Sequence, residues 1–292
     1  MIKGAITALV TPFDADGNID FEGFKQNLEF QLKEGIGGVL VAGTTGEGPT
    51  LSMEEWKNLL LITVERVKGK IPVIAGVGTN NTYKTIERLH LAEEAGADAS
   101  LVITPYYNKP PQEGLRRHFL MVDKEAKKPI IIYNVPSRTG VNILPETVKF
   151  IVDNSRHTMY IKEASGLLKQ IAELKLLCGD RLTILSGDDL LAFPSFALGA
   201  KGVISVVSNI LPHKISEMYR SFEKENIKKA KELHYYLFPV IQALFVETNP
   251  IPVKEAMNIL GLSGGKVRPP LNDAQEGTVG ILKEVLMKAR LL

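Results

Sequence analysis

Short apolar segments alternate with longer amphipathic ones along most of the chain, and glycine or proline marks most of the junctions. The apolar segments are rich in valine, isoleucine and threonine, as β-strands are. Segments such as 54–67 and 82–96 repeat apolar residues at helical spacing. Eight strands are predicted, at residues 5–12, 38–43, 72–78, 99–105, 129–135, 159–164, 182–187 and 202–207.

This alternation predicts a parallel sheet, because consecutive parallel strands need a crossover that is usually helical. Eight units fit a closed (β/α)₈ barrel better than an open doubly wound sheet, and a helix-end glycine followed by a strand recurs in several of them. Beyond Phe222 no strand is predicted. We therefore expect an α/β fold with a (β/α)₈ TIM barrel over residues 1–224. A C-terminal helical extension of about three helices, residues 225–292, should pack on the barrel.

Composition and charge exclude several classes of protein. The hydrophobic fraction of 45% and the charged fraction of 23% are ordinary for a globular protein. The formal net charge of +2, with basic and acidic residues intermixed, gives no general attraction for nucleic acid or for an anionic membrane. The single cysteine, Cys178, allows no intrachain disulfide, and no apolar run is long enough to span a bilayer. The five histidines are not spaced as metal ligands usually are. We expect a cytoplasmic protein with no metal.

The residue with the most unusual position is Lys162, which lies at the end of an apolar strand. Functional groups of a (β/α)₈ barrel lie at the C-terminal ends of the strands. Burial disfavours the charged ammonium, and a free amine can attack a carbonyl carbon to form a Schiff base. The alternative is a structural salt bridge. Glu163 is a poor candidate for that partner, because adjacent strand residues point to opposite faces.

Three more residues at strand ends can take part in such chemistry. Tyr133 ends the preceding strand, where a phenol can carry protons; a core tyrosine bonded to the backbone is the alternative. Thr44 and Thr45 lie in the segment GTTGEGP, whose hydroxyl and N–H groups can bind a small anion. An ordinary glycine-threonine turn accounts for that segment equally well.

Two later loops carry further candidates. Arg138, in VPSRTG, can hold a carboxylate with both arms of its guanidinium, or it can be a solvated surface residue. Tyr106 and Tyr107 lie on a proline-flanked loop, where they can stack against another subunit or cap the barrel. The segment LSGGKVRPP, residues 262–270, suggests either a phosphate site or, with better agreement, a loop that ends a helix.

Six segments resemble, in order, the dihydrodipicolinate synthase family of the pyruvate-dependent class I aldolase superfamily: GTTGEGPTLS, TPYYNKP, YNVPSRTG, IKEASG, LSGDD and ETNPIPVK. The resemblance covers essentially the whole chain, including the helical tail. It implies a homotetramer made of two dimers and a reaction without a cofactor. The implied reaction is condensation of pyruvate with L-aspartate 4-semialdehyde to 4-hydroxy-tetrahydrodipicolinate, in diaminopimelate and lysine biosynthesis.

The resemblance also implies roles for individual residues. Lys162 would form the Schiff base with pyruvate, whose carboxylate Thr45 would bind. Arg138 would hold the carboxylate of the semialdehyde at the site entrance. Gly187 and Ile204 would line the pyruvate pocket. The proton relay would consist of Tyr133, Thr44 and, from a neighbouring subunit, Tyr107.

Two other functions remain open at this stage. One is a related pyruvate-dependent aldolase that acts on 2-keto-3-deoxy sugar acids or N-acetylneuraminate. Those relatives generally lack the arginine of PSRTG, so Arg138 favours a compact substrate with a carboxylate. The other is a metabolite-binding barrel without catalysis, which has no need for Lys162, Tyr133 and Thr44 together.

The positions that bind lysine in feedback-inhibited members of the family are only partly matched. Asn80 and Tyr106 agree with those members, whereas Lys84 replaces an acidic residue and would repel the ammonium group of the ligand. We therefore expect weak or absent inhibition by lysine. Four more positions depart from the enterobacterial pattern: Gly48, Pro49, Met53 and Trp56.

Overall fold

Eight parallel strands pair in chain order in the computed structural model, which describes residues 2–292, and the last strand closes the sheet against the first. The prediction of a closed (β/α)₈ barrel is confirmed. Within the described residues the strands, β1 to β8, are Gly4–Ala8, Gly38–Val41, Val73–Gly76, Ala99–Ile103, Ile130–Asn134, Thr158–Glu163, Thr183–Ser186 and Gly202–Ser205.

Closure of the barrel depends on a close approach of two backbones. Gly202 at the start of β8 pairs with Gly4 at the start of β1. A Cβ atom at position 202 would lie 2.2 Å from the carbonyl oxygen of Gly4. No side chain fits in that space, so the seam between the first and last strands needs a glycine at this point.

Helices surround the barrel and extend beyond it. Over residues 2–292, α1 to α12 are Phe21–Lys33, Met53–Val67, Thr82–Glu94, Gln112–Glu125, Pro136–Thr139, Pro145–Asn154, Leu168–Cys178, Ala192–Ala197, Pro212–Glu223, Ile227–Ala243, Ile251–Ile259 and Glu276–Lys288. The last three form the predicted helical extension: α10 packs on α9, and α12 packs on α10 and α11. None of the helices in the described part of the chain is long and apolar enough to cross a membrane.

The core has two layers because strand side chains alternate between faces. On β5, Ile131 and Tyr133 belong to the cluster inside the barrel, whereas Ile130 and Ile132 pack outward against the helices. The same alternation sends Lys162 of β6 to the inside. The alternation of side chains along each strand therefore determines which residues point into the barrel.

Several strands end earlier than the sequence predicts. The first was expected to reach residue 12, but β1 ends at Ala8 although Leu9 and Val10 remain buried. The N–H of Val10 donates to the side chain of Asn209 and not to the neighbouring strand. Side chains thus remain buried after the backbone has left the sheet. An apolar pattern predicts which residues are buried, but not where the strand ends.

Candidate active site

Lys162 and Tyr133 meet inside the mouth of the barrel. They are paired residues of the adjacent strands β6 and β5, and both are buried, with Lys162 only 6% exposed. The Lys162 Nζ lies 4.3 Å from the centroid of the Tyr133 ring. No carboxylate among residues 2–292 forms a salt bridge with Lys162. The structure therefore removes the salt-bridge alternative and leaves an amine beside a phenol.

Glu163 points to the opposite face, as expected from the alternation along the strand. Its carboxylate accepts hydrogen bonds from Asn134 Nδ2 at 3.0 Å, from Gln170 Nε2 at 3.0 Å and from the N–H of Ser165 at 2.7 Å. This set of donors anchors the end of β6 from outside the barrel. Lys162 is thereby held on a strand end that is fixed on its outer face.

Two further predicted site residues shape the space around the amine. A Cβ atom at Gly187, directly after β7, would lie 3.0 Å from both Cγ and Cε of Lys162. The glycine therefore provides the space that the lysine chain occupies. Ile204 of β8 is fully buried and belongs to the same interior cluster as Tyr133 and Leu185. It contributes to an apolar floor beneath the site.

A cavity of about 520 Å³ opens above these residues at the C-terminal ends of the strands. Thr44, Tyr133, Arg138 and Asn249 line it, so residues far apart in the sequence converge on one space. Its wall also includes five of the seven positions considered for lysine inhibition: Gly48, Pro49, Asn80, Lys84 and Tyr106.

Thr44 and Thr45 lie in the turn after β2. Neither of their N–H groups has a protein acceptor within the part of the chain that the structure describes. Thr44 lines the cavity, while Thr45 is buried and its hydroxyl accepts a hydrogen bond from Asn249 Nδ2 at 3.0 Å. Free N–H groups beside two hydroxyls suit a small anion such as a carboxylate.

Arg138 lies on the single-turn helix α5, on the rim of the cavity. Its Nη2 donates to the backbone oxygen of Asn249 at 3.0 Å. No carboxylate of residues 2–292 is paired with this guanidinium. An exposed arginine with one anchored nitrogen and no counter-charge is suited to hold an incoming carboxylate.

Tyr107 lies on the surface of a single chain and does not line the cavity. Its ring is 91% exposed, and its backbone has φ +71°, a left-handed conformation that is costly for a bulky residue. Its neighbour Tyr106 lines the cavity instead. Of the predicted site residues, Thr44, Tyr133 and Arg138 line the cavity. Lys162, Gly187 and Ile204 lie at the ends of β6, β7 and β8, and Thr45 is buried in the turn after β2.

The sequence interpretation gave no role to Glu47 and Lys254, which form a buried ion pair beside the cavity. Lys254 Nζ lies 2.7 Å from Glu47 Oε1, and both side chains are 2% exposed. Lys254 also donates to the backbone oxygens of Thr11, at 2.8 Å, and Lys266. Burial lowers the pKa of Lys254 to about 8, although the Glu47 carboxylate opposes this shift. The pair ties the threonine turn to α11 of the helical extension.

The segment LSGGKVRPP follows α11 and ends in a loop held by Arg268. The guanidinium of Arg268 makes two hydrogen bonds to the Glu55 carboxylate and donates to the backbone oxygens of Gly17 and Thr50. The N–H of Arg268 donates to Glu47 Oε2 at 2.9 Å. Four of the five guanidinium donors are used by the protein, so this arginine is not suited to a phosphate site. The interpretation as a loop after a helix is confirmed.

The Glu55–Arg268 pair gives a testable dependence of stability on pH. The hydrogen bonds from Arg268 lower the pKa of Glu55 from 4.5 to about 2. Because the folded-state pKa lies below the unfolded one, this contribution to stability is complete above pH 4.5 and is lost as the pH falls toward 2. Glu55→Gln should therefore lose less free energy of unfolding than the wild type between about pH 5 and about pH 3, measured by urea denaturation.

Glu54→Gln is the matched control, because Glu54 is the neighbouring glutamate and is exposed. That variant should follow the wild-type profile. Equal pH profiles for the two variants would show that Arg268 does not perturb Glu55.

A closed (β/α)₈ barrel with an unpaired, buried lysine beside a tyrosine at its mouth defines the class of aldolase-type barrels that work through a lysine Schiff base. The model of the dihydrodipicolinate synthetase family matches residues 1–289. The chain belongs to that family, and the resemblance drawn from its six segments is confirmed.

Similar proteins span its full length. The 4-hydroxy-tetrahydrodipicolinate synthase of Methanocaldococcus jannaschii is 47% identical over 292 residues, covering 100% of both chains. The crystal structure of dihydrodipicolinate synthase from Thermotoga maritima matches with a TM-score of 0.98 and 43% identity over 100% of both chains. The chloride-inhibited dihydrodipicolinate synthase from Acinetobacter baumannii, complexed with pyruvate, matches with a TM-score of 0.98 and 36% identity, again over 100% of both chains.

Proposed function

We propose that this protein condenses pyruvate with L-aspartate 4-semialdehyde to give 4-hydroxy-tetrahydrodipicolinate, in the biosynthesis of diaminopimelate and lysine. The observation that carries the proposal is the unpaired Lys162 amine, buried 4.3 Å from the ring of Tyr133 in a barrel of the dihydrodipicolinate synthetase family. The pyruvate complex of the A. baumannii relative supports pyruvate as the first substrate. No cofactor is needed for this chemistry.

In the proposed reaction the Lys162 amine adds to the keto carbon of pyruvate, and loss of water gives a protonated imine. Loss of a methyl proton gives an enamine, whose carbon attacks the aldehyde of the second substrate. The amino group of that substrate then displaces the lysine from the imine carbon, which closes the ring and regenerates the enzyme. Tyr133 and Thr44 would move these protons, and the fact that both line the cavity supports this role.

The two carboxylates have separate sites in this proposal. Thr45 and the free N–H groups of its turn would bind the carboxylate of pyruvate. Arg138, on the rim, would bind the carboxylate of the semialdehyde. The geometry supports this division, since Thr45 is buried whereas Arg138 is exposed.

We also propose that Tyr107 completes the proton relay of a second copy of the chain, in a cytoplasmic homotetramer built from two dimers. The exposed ring and the left-handed backbone of Tyr107 support this assignment, because a partner can stabilise a conformation that is costly in one chain. Tyr83, at the start of α3, is also largely exposed and adds to the apolar surface available for contact. The division into a barrel, 1–224, and an appendix, 225–292, is likewise a proposal.

Borohydride reduction in the presence of pyruvate tests the proposed function. We expect a covalent pyruvate adduct on the peptide that contains Lys162, and turnover with L-aspartate 4-semialdehyde that persists in EDTA. An absent adduct would favour the binding barrel. Faster cleavage of 2-keto-3-deoxy sugar acids or N-acetylneuraminate would favour the related aldolases.

Arg138→Ala should separate the two substrates. Loss of the paired contacts to a carboxylate costs about 2–5 kcal/mol, so kcat/KM for the semialdehyde should fall roughly 30-fold or more. Trapping of pyruvate should remain largely intact, because pyruvate lies with Lys162 and Thr45. Arg117→Ala, at an exposed arginine on α4, is the control and should resemble the wild type. An equal loss for both substrates in Arg138→Ala would contradict the assigned role.

A further inference from the structure

Asn249 connects the two residues that are proposed to hold the carboxylates. It lies between α10 and α11, is 5% exposed and lines the cavity. Its Nδ2 donates to Thr45 Oγ1 at 3.0 Å, and its backbone oxygen accepts from Arg138 Nη2 at 3.0 Å. The helical extension thereby contributes a residue that contacts both proposed substrate-binding groups.

The bond to Thr45 determines what the hydroxyl can do. An amide NH₂ group can only donate, so Thr45 Oγ1 acts as the acceptor and keeps its own proton. That hydroxyl makes no other hydrogen bond within residues 2–292. Its proton is therefore available to a ligand, and the fixed acceptor bond limits the directions in which it can point. A hydroxyl held in this way is a donor suited to a carboxylate.

The orientation in which the Asn249 NH₂ group faces Thr45 leaves the amide oxygen without a hydrogen bond from residues 2–292, which costs free energy. Asn249 Oδ1 is buried and has no hydrogen-bond partner among the described residues. In the opposite orientation Oδ1 would accept the Thr45 proton, and that proton would not be available to a ligand. The unpaired oxygen is thus the consequence of committing the NH₂ group to Thr45.

The hydrogen bond from Arg138 to the backbone oxygen of Asn249 concerns the site proposed for the carboxylate of the semialdehyde. A guanidinium has five N–H donors, and only one of those of Arg138 has an acceptor in the described chain. The anchor restricts an exposed side chain on a single helical turn and leaves its other donors free. The same backbone oxygen remains in any variant of Asn249, so this contact can be separated from the contact to Thr45.

We propose that Asn249 is a positioning residue for both substrates: its amide directs the Thr45 proton toward pyruvate, and its carbonyl holds Arg138 for the second carboxylate. The proposal rests on the proposed function, because it takes the two ligands from it. It adds a residue of the helical extension to the binding of substrates. It also predicts that a change at Asn249 raises the KM for pyruvate more than the KM for the semialdehyde.

Steady-state kinetics of Asn249→Ala and Asn249→Asp test the first contact. In Asn249→Ala the Thr45 hydroxyl loses its orienting donor, and the KM for pyruvate should rise about 10-fold. In Asn249→Asp a carboxylate takes the Thr45 proton and repels pyruvate, so the KM should rise about 100-fold. The KM for the semialdehyde should change less than about threefold in Asn249→Ala, because the backbone oxygen remains.

Two readouts separate orientation from a structural role. The KM for pyruvate of Asn249→Asp should approach the wild-type value as the pH falls. The reason is that a protonated aspartic acid again has a hydrogen-bond donor. In a Thr45→Val background, Asn249→Ala should have almost no further effect on the KM for pyruvate. Each variant is checked by its unfolding temperature, and Asn249→Ser replaces Asn249→Ala if that chain does not fold.

The outcomes are distinguishable from a failure of the proposed function. If the wild type gives no pyruvate adduct at Lys162, the proposed function is overturned. If the wild type gives the adduct but Asn249→Ala and Thr45→Val have additive effects, or Asn249→Asp binds pyruvate as well as Asn249→Ala at every pH, the role of Asn249 is overturned.

Discussion

Lys162→Ala is expected to abolish the trapping of pyruvate by borohydride and to lower turnover by about 10⁴-fold or more. The reason is that the variant removes the amine that forms the imine, and without the imine no enamine is available to attack the aldehyde. Peptide mass analysis of the reduced protein and a turnover assay measure the two effects. Lys162→Arg should be as inactive, since a guanidinium keeps the positive charge but does not form this imine.

The same change should leave the stability of the fold unchanged or increase it. Lys162 is buried without a carboxylate partner among residues 2–292, and a buried polar group without such a partner is costly to the folded state. The thermal unfolding temperature of Lys162→Ala should therefore be equal to or above that of the wild type. Loss of stability in Lys162→Ala, together with no pyruvate adduct on Lys162 in the wild type, would indicate a structural lysine and not a nucleophile.

Lys201→Ala is the matched control. Lys201 is exposed and directly precedes β8, so it lies at the opposite end of the barrel from the mouth. This variant should keep both the pyruvate adduct and the turnover. An adduct that persists in Lys162→Ala, or that disappears in Lys201→Ala, would contradict the assignment of the nucleophile.

The central part of this site could be predicted from the sequence because it depends on local periodicity. The alternation of faces along a strand predicts that Lys162 points inward and Glu163 outward, and the structure has both. The order of strands in a barrel then places Tyr133 next to Lys162, since their strands are consecutive in the chain and are paired. Neither step requires knowledge of a contact between distant segments.

The surrounding residues could not be predicted in this way. Asn249 contacts a threonine 204 residues away, and Lys254 pairs with a glutamate 207 residues away. No periodic pattern encodes such contacts, because they depend on how the helical extension packs over the barrel mouth. The signal that was present is the lysine in the apolar helical segment IPVKEAMNI, which indicates a buried charge in need of a partner. Tyr107 is a different case, because one chain does not contain its proposed partner.

Lys254→Met is expected to lower the free energy of unfolding by about 3–5 kcal/mol. The change leaves the Glu47 carboxylate buried without its counter-charge and removes the donor to the backbone oxygens of Thr11 and Lys266. Urea denaturation monitored by circular dichroism measures the loss. Glu47 is two residues from Thr45, so the KM for pyruvate should rise in the same variant, because the turn is less firmly held.

Two further variants distinguish the effect of losing the Glu47–Lys254 ion pair from the effect of losing the Lys254 side chain. Adding Glu47→Gln to Lys254→Met should recover part of the stability, because a neutral amide needs no counter-charge in the same space. Lys266→Met is the control: its pair with Asp273 is exposed on both sides, so its loss should cost at most about 1 kcal/mol. If Lys254→Met and Lys266→Met lose the same stability, the buried pair does not connect the helical extension to the threonine turn. A larger loss in Lys254→Met, relieved by Glu47→Gln, would instead mean that this ion pair holds the pyruvate-binding turn in place.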